Sequence, residues 1–243
     1  QHGKVETRGS TGKPGKREMK AQSDGSARAP QQKLRRRTGR PHAGVLSREG
    51  IAEVALGLID ELGYEHMTMK ALAAKLGVAP SALYNHVASK ADLWDPIQEM
   101  LMGGVDVSGF DRLPLDRAMA AWARSYRDVF AKHPSVITGI AVLPVGNSPR
   151  TLGVYEAVAT ALSEAGLPAA RVVSVIVAFE SFIFGSALDA TAPENIFDSG
   201  DAAELHTVFA SAVAARAALP ANPAEDAFDL GLSALLTILP RPR

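Results

Sequence analysis

The stretch TMKALAAKLGVAPSALYNHVASKADL, residues 68–93, decides how this chain folds. Thr68 is a residue type that caps helix N-termini, and Met69, Leu72, Ala73 and Leu76 then recur on one helical face until Gly77 ends the helix. A second short helix follows, with Pro80 near its start and Leu83 and Val87 as its inward anchors. The spacing carries the reading. Ala73 is small where two helices cross closely, Gly77 permits a left-handed turn, and Leu83 closes the small core beyond it. A helical hairpin of the ordinary kind shares the glycine. It does not require cap, small residue, glycine and apolar anchor together, so the pattern reads as a helix-turn-helix.

Outward from this stretch, every segment from Ser47 onward has helical periodicity and none alternates like a strand, which predicts an all-α chain. Upstream, Ser47 caps a helix reaching Leu62 before Gly63, with Ile51, Val54, Ala55, Leu58, Ile59 and Leu62 on one stripe. Downstream, Ser89 and Asp92 form a capping pair for a fourth helix carrying Leu93, Trp94, Ile97 and Leu101; Pro96 inside it predicts a kink or an early end. A fifth helix starts near Pro114 and stops at His133-Pro134, and a shorter apolar piece spans residues 135–143. Another runs from Ser148-Pro149 to Ala165 and ends at Gly166. Pro168 opens the most apolar helix, through Leu188, which must be covered on all sides by its own subunit or another. A polar loop then ends at Asp201, with Glu204 completing a predicted cap. Asn222 to Glu225 cap the last helix, whose stripe is Phe228, Leu232, Leu235, Leu236 and Leu239.

The first helix ending at Gly63, the Met67-Thr68-Met69 entry, and Leu83-Tyr84-Asn85-His86-Val87 followed by Lys90 and Leu93 together resemble the N-terminal signature of the TetR family of bacterial transcriptional regulators. The C-terminal part matches that family in helical layout and a few punctuating residues. Gly166-Leu167 and Phe184-Gly185 point to the branch containing the tetracycline repressor. The resemblance implies an N-terminal three-helix DNA-binding domain over residues 45–93 and a C-terminal helical ligand-binding and dimerisation domain over 94–240. It also implies a homodimer, with two helices from each subunit at the interface. The partners expected are a palindromic double-stranded DNA operator and an unidentified small-molecule effector. No cofactor and no membrane are expected, and the expected location is cytoplasmic.

In a helix-turn-helix, the second helix enters the major groove by its N-terminal half. That edge is Ala79, Pro80, Ser81 and Ala82, then Asn85 and His86. Ser81 suits a base edge or a phosphate; Ala79, Pro80 and Ala82 suit a thymine methyl or fix shape. Asn85 suits adenine if it faces inward, and is otherwise a solvated helix residue. By resemblance, Tyr84, His86 and Lys90 hold the phosphate backbone, Thr68 acts through its helix N-terminus, and Lys70 reaches a phosphate or a base. Such contacts set position more than sequence.

Net charge zero hides an asymmetry. Residues 1–46 carry twelve Lys and Arg against Glu6, Glu18 and Asp24, a surplus of nine positive charges that the remainder balances with nine negative ones. An acidic body with a basic arm argues for DNA affinity concentrated at one end. Residues 1–44 hold almost no large apolar side chains and read as a disordered arm. Arg35, Arg36, Arg37 and Arg40, around a Gly-Arg-Pro turn, suit the narrow minor groove or phosphates; the alternative is a solubilising tail. The chain has no cysteine, which excludes disulfides and thiolate metal sites. No apolar run is expected to reach membrane-spanning length, since Ser174, Glu180, Ser181 and Ser186 interrupt the longest candidate, residues 172–188, which suits a buried helix better.

For the body, Trp122, Tyr126, Phe130, Ile137, Tyr155, Phe179 and Phe182 are candidate liners of an apolar cavity, with plain core packing as the alternative for each. Glu180 and Ser181 are the polar candidates. A carboxylate amid Val175 to Phe184 must orient a ligand, meet a basic group across a dimer, or emerge at the surface. Residues 135–143 lack the metal-chelating histidine of the tetracycline repressor, which argues against that ligand, and no other spacing suggests a metal site. Ligand binding is expected to tilt the fourth helix near Pro96 and change the separation of two reading heads. A TetR-like activator and a ligand-independent regulator are alternatives, as is a nucleoid-type protein dominated by its arm. No Gly-x-Ser-x-Gly elbow, phosphate loop or His-Glu-x-x-His favours an enzyme.

Overall fold

Local capping chemistry starts several of the helices where the sequence places it. Ser47 Oγ accepts the Gly50 N–H at 3.0 Å and Thr68 Oγ1 accepts that of Ala71 at 3.1 Å. Asn222 Oδ1 takes the Ala224 and Glu225 N–H groups at 2.8 and 3.3 Å. Each such cap stabilises its helix by about 1 kcal/mol. Ser89 and Asp92 bond reciprocally, the Ser89 N–H to Asp92 Oδ2 at 2.9 Å and the Asp92 N–H to Ser89 Oγ at 3.3 Å.

The computed structural model describes residues 46–193, 195–220 and 222–240, and these contain ten α-helices and no strand. The helices are α1 (Arg48–Leu62), α2 (Met69–Lys75), α3 (Pro80–Tyr84), α4 (Trp94–Met102) and α5 (Leu115–Ala131), then α6 (Ile137–Ile140), α7 (Pro149–Glu164), α8 (Ala169–Asp189), α9 (Thr207–Ala217) and α10 (Pro223–Leu236). The arm and its Arg35, Arg36, Arg37 and Arg40 lie outside the described residues. The all-α expectation holds.

Two expected details differ. Pro96 sits at the third position of α4, within the first turn, where an amide hydrogen has no partner inside the helix. It therefore kinks nothing, and a single 3-10 turn over Ala91–Leu93 precedes it. Asp201 and Glu204 do not cap α9; they lie in a 3-10 turn over Gly200–Glu204, and α9 starts after His206 without a side-chain cap.

Helices α5 and α8 form the centre, with α7 and α10 against α8. Met119, Trp122, Ala123, Tyr126 and Phe130 line the inner face of α5, while Arg117, Arg124 and Asp128 stay outside. Across from it, α8 buries Val172, Ile176, Phe179 and Ile183. At 21 residues α8 is long and apolar enough to cross a membrane, which corrects the expectation that no run reaches that length. Its buried face nevertheless packs like a core helix, and its opposite face leaves Val173 and Val177 exposed.

Candidate nucleic-acid interface and buried polar cluster

The turn between α2 and α3 closes as a paired hydrogen-bond motif. Gly77, at φ 69°, donates to Ala74 O at 3.1 Å and Val78 donates to Ala73 O at 3.0 Å. Only a residue free of a Cβ takes this left-handed conformation without strain. Leu72, Ala73, Leu83 and Val87 are fully packed behind the turn. The outer edge is consequently presented as a unit. Ala79, Pro80, Ser81, Tyr84, Asn85 and His86 are exposed, as are Thr68 and Lys70 at the start of α2, and Ala82 is half-buried.

Lys90 is placed differently from its neighbours. Its ammonium donates to the Tyr64 carbonyl and lies 4.1 Å from the centre of the Tyr64 ring. Tyr64 packs at a tilt against Trp94 of α4, 4.6 Å between ring centres. The Trp94 indole in turn lies over Gly139 of α6, where an added Cβ would overlap the ring. A chain of contacts therefore runs from α6 through Trp94 and Tyr64 to Lys90. A second tie joins the head to the body: His133 Nδ1 lies 2.7 Å from Asp60 Oδ2 of α1. On the far side of α4, the Glu99 carboxylate accepts the Arg150 N–H at 2.8 Å and the Ser148 hydroxyl at 2.9 Å, which fastens α4 to the N-terminus of α7.

Within the body, the structure sorts the candidate effector residues into three groups. Trp122, Phe130, Ile137 and Phe179 are fully packed core. Tyr126 and Tyr155 meet at Glu180: both phenols donate to Glu180 Oε1, at 2.9 and 2.6 Å. Burial pushes the Glu180 carboxyl above the usual range, while the two phenol hydrogen bonds pull the other way. Both phenols are themselves held well above their ordinary value, first by burial and then by the Glu180 charge, so they remain donors. Ser181 and Phe182 belong elsewhere, which corrects their placement with Glu180. Ser181 is exposed, and it lines a shallow groove with Gly185 and Phe228 towards α10; Phe182 stacks on Phe228 at 5.3 Å.

An open cleft of about 1030 Å³ lies between the start of α5 and the ends of α7 and α10, lined by Pro114, Leu115, Glu164, Leu236 and Pro240. None of the expected liners borders it. Three buried polar atoms have no partner among the described residues: Gln98 Oε1, Trp122 Nε1 and Arg127 Nη1. Neither Gln98 nor the Trp122 N–H stood out in the sequence, because nothing local marks a polar atom whose partner is missing.

Against known proteins, the family described as bacterial regulatory proteins of the tetR family matches residues 51–95, and the tetracyclin repressor-like C-terminal domain matches residues 115–237. An HTH-type transcriptional regulator of Mycobacterium tuberculosis is 30% identical over 62% of this chain and 77% of its own length. A possible TetR family transcriptional regulator from Streptomyces coelicolor superposes with a TM-score of 0.66 at 25% identity, over 79% of this chain and 97% of that one. The TetR family protein ActR from the same organism, solved in complex with actinorhodin, has a TM-score of 0.63 at 21% identity, over 80% and 96% of the two chains, and shares the fold.

Proposed function

Since this chain belongs to the TetR family of DNA-binding transcriptional regulators, we propose that it is a homodimeric repressor, released from a palindromic operator by a small-molecule effector. The observation that carries the reading is the exposed edge of α3 held on a closed core. Ala79, Pro80 and Ser81 face out with Tyr84, Asn85 and His86 behind them. Ser81 and Asn85 are assigned to base edges, Tyr84 and His86 to phosphates, and Lys70 and the α2 N-terminus at Thr68 to the adjoining backbone. Lys90 completes the phosphate contacts by leaving the Tyr64 carbonyl when DNA arrives.

Dimerisation is supported by two apolar faces that the single chain leaves uncovered, Val173 and Val177 on α8, and Leu230 on α10 with Ile238 just beyond its end. Two heads on one rigid body match half-sites a helical turn apart, so any change in their separation lowers affinity. Helix α4 is the connection through which an effector acts, because it touches α1, α6 and α7. The domain division at residues 93 and 94 belongs to this reading, as does a cytoplasmic location.

The test is a mobility shift of the full chain on the promoter of its own gene, with a large excess of scrambled duplex. Retention of a dimer on a palindrome is the expected result; equal binding to the scrambled duplex would refute it. A ligand-independent regulator is the second reading, favoured by the complete packing of Trp122, Phe130 and Phe179. Release of the operator by an added small molecule decides between the two.

A further inference from the structure

Glu180 is a half-buried carboxylate without a cation among the described residues. Its Oε1 takes both phenols, and Oε2 takes no hydrogen bond among the described residues. Oε2 is not one of the sealed, partnerless atoms of the interior, so it remains reachable from outside. Tyr155 and Glu180 are both half-buried, which places this opening where α7 passes α8. Of the three arginines of the neighbouring α5, Arg124 pairs with Asp229 and Arg127 with Asp128 and Glu225, while Arg117 lies exposed more than two turns before Tyr126. Neither phenol supplies positive charge. A carboxylate withdrawn from water without a counter-charge is costly, and proteins pair or neutralise such groups.

The Tyr126 end of the cluster is aromatic. Tyr126 lies 5.2 Å from Phe130, 5.6 Å from Phe184 and 5.8 Å from Trp122, ring centre to ring centre. Ring faces attract cations, and they do so most where water is excluded. We propose that this cluster takes an organic cation: an arylalkyl amine whose protonated nitrogen pairs with Glu180 Oε2, its body against the half-buried Tyr155 and Phe184. This assignment rests on the effector-released reading above, for it names the chemistry of that effector.

The experiment uses the full chain and three probes of increasing size: 2-phenylethylamine, 4-phenylbutylamine and 3,3-diphenylpropylamine. Each is titrated calorimetrically beside the alcohol and the carboxylic acid of the same carbon skeleton. Binding of at least one amine, at least about tenfold tighter than its alcohol and with no measurable binding of its acid, is the expected result. Glu180→Gln should abolish the preference for amine over alcohol. Tyr155→Phe should weaken the amine by a smaller factor, and circular dichroism confirms that both variants fold. The assignment is overturned if no amine binds, if alcohol and amine bind alike, or if Glu180→Gln keeps the preference. Operator release is measured in parallel to separate the two claims. Release by neutral compounds alone leaves the repressor reading standing without this assignment. Amine binding that depends on Glu180 but releases no DNA leaves the cation site standing without that reading.

Discussion

At Glu180 a single carboxyl is pulled in two directions, and burial wins over the phenols of Tyr126 and Tyr155. Its charged form is thus disfavoured in the folded chain, and the native state holds the proton more tightly than the unfolded one. Such a group contributes its full stability below the ordinary carboxyl range and loses it as pH rises through the raised native value. Glu180→Gln keeps an oxygen for both phenols and removes the ionisation. The variant should therefore melt close to the parent near pH 4 and above it at pH 8, with the gap widening between. A gap of about 2–4 °C corresponds to each 1 kcal/mol in a chain of this size. Melting curves at four pH values check this, and a gap that narrows with rising pH contradicts it. The neighbouring Ser181 was read from sequence as part of the same polar pair. One step along a helix turns the side chain by about 100°, and that step carries Ser181 out towards α10.

Helix ends were legible because their chemistry is local. The side chains of Ser47, Thr68, Ser89 and Asn222 each accept an amide two or three residues away. Gly77 and Gly166 turn left-handed at φ 69° and 89° where the periodicity stops. The start of α9 was not legible, since no side chain caps it and the Asp201 to Glu204 pattern serves a 3-10 turn instead. The Glu180 cluster lay beyond reach for a different reason. Tyr155 and Tyr126 are 25 and 54 residues from it in the chain, and only the packing of α5, α7 and α8 brings them together. The contact between α6 and α4 is of the same kind and gives a test. Gly139→Ala puts a methyl group into the Trp94 indole, which is braced by Tyr64 and cannot simply swing away. Overpacking of this sort costs about 1–3 kcal/mol, and it should disturb the Tyr64 carbonyl that holds Lys90. The expected outcome is a lower melting temperature together with weaker operator binding, measured beside Val142→Ala at an exposed neighbouring position. Loss of stability without any change in DNA affinity would mean that the α6–Trp94 contact carries no signal to the head.

Charge and apolar surface are distributed at opposite ends of the problem this molecule solves. The uncovered faces of α8 and α10 are where a second copy gains most, since Val177 and Leu230 are more than half exposed, at 51% and 74%. Val177→Glu with Leu230→Glu should leave the single chain folded, because neither side chain supports its core. Sedimentation should then report a monomer, and operator affinity should fall by about a thousandfold or more, to the level of non-specific binding. The basic arm governs a different quantity. Specific contacts by the head depend on geometry, whereas phosphate neutralisation by Lys and Arg displaces counterions and makes binding salt-dependent. The head offers few side chains able to read bases, so the nine surplus positive charges of residues 1–46 are expected to supply much of the affinity. Removing residues 1–44 deletes Arg35, Arg36, Arg37 and Arg40 with the rest. If those four each neutralise one phosphate in both subunits of the dimer, the slope of log affinity against log salt should become shallower by about 7. Fluorescence anisotropy with operator DNA across a salt series measures the slope for both chains. An unchanged slope with unchanged affinity would place recognition wholly in the head, and the arm would then be a solubilising tail.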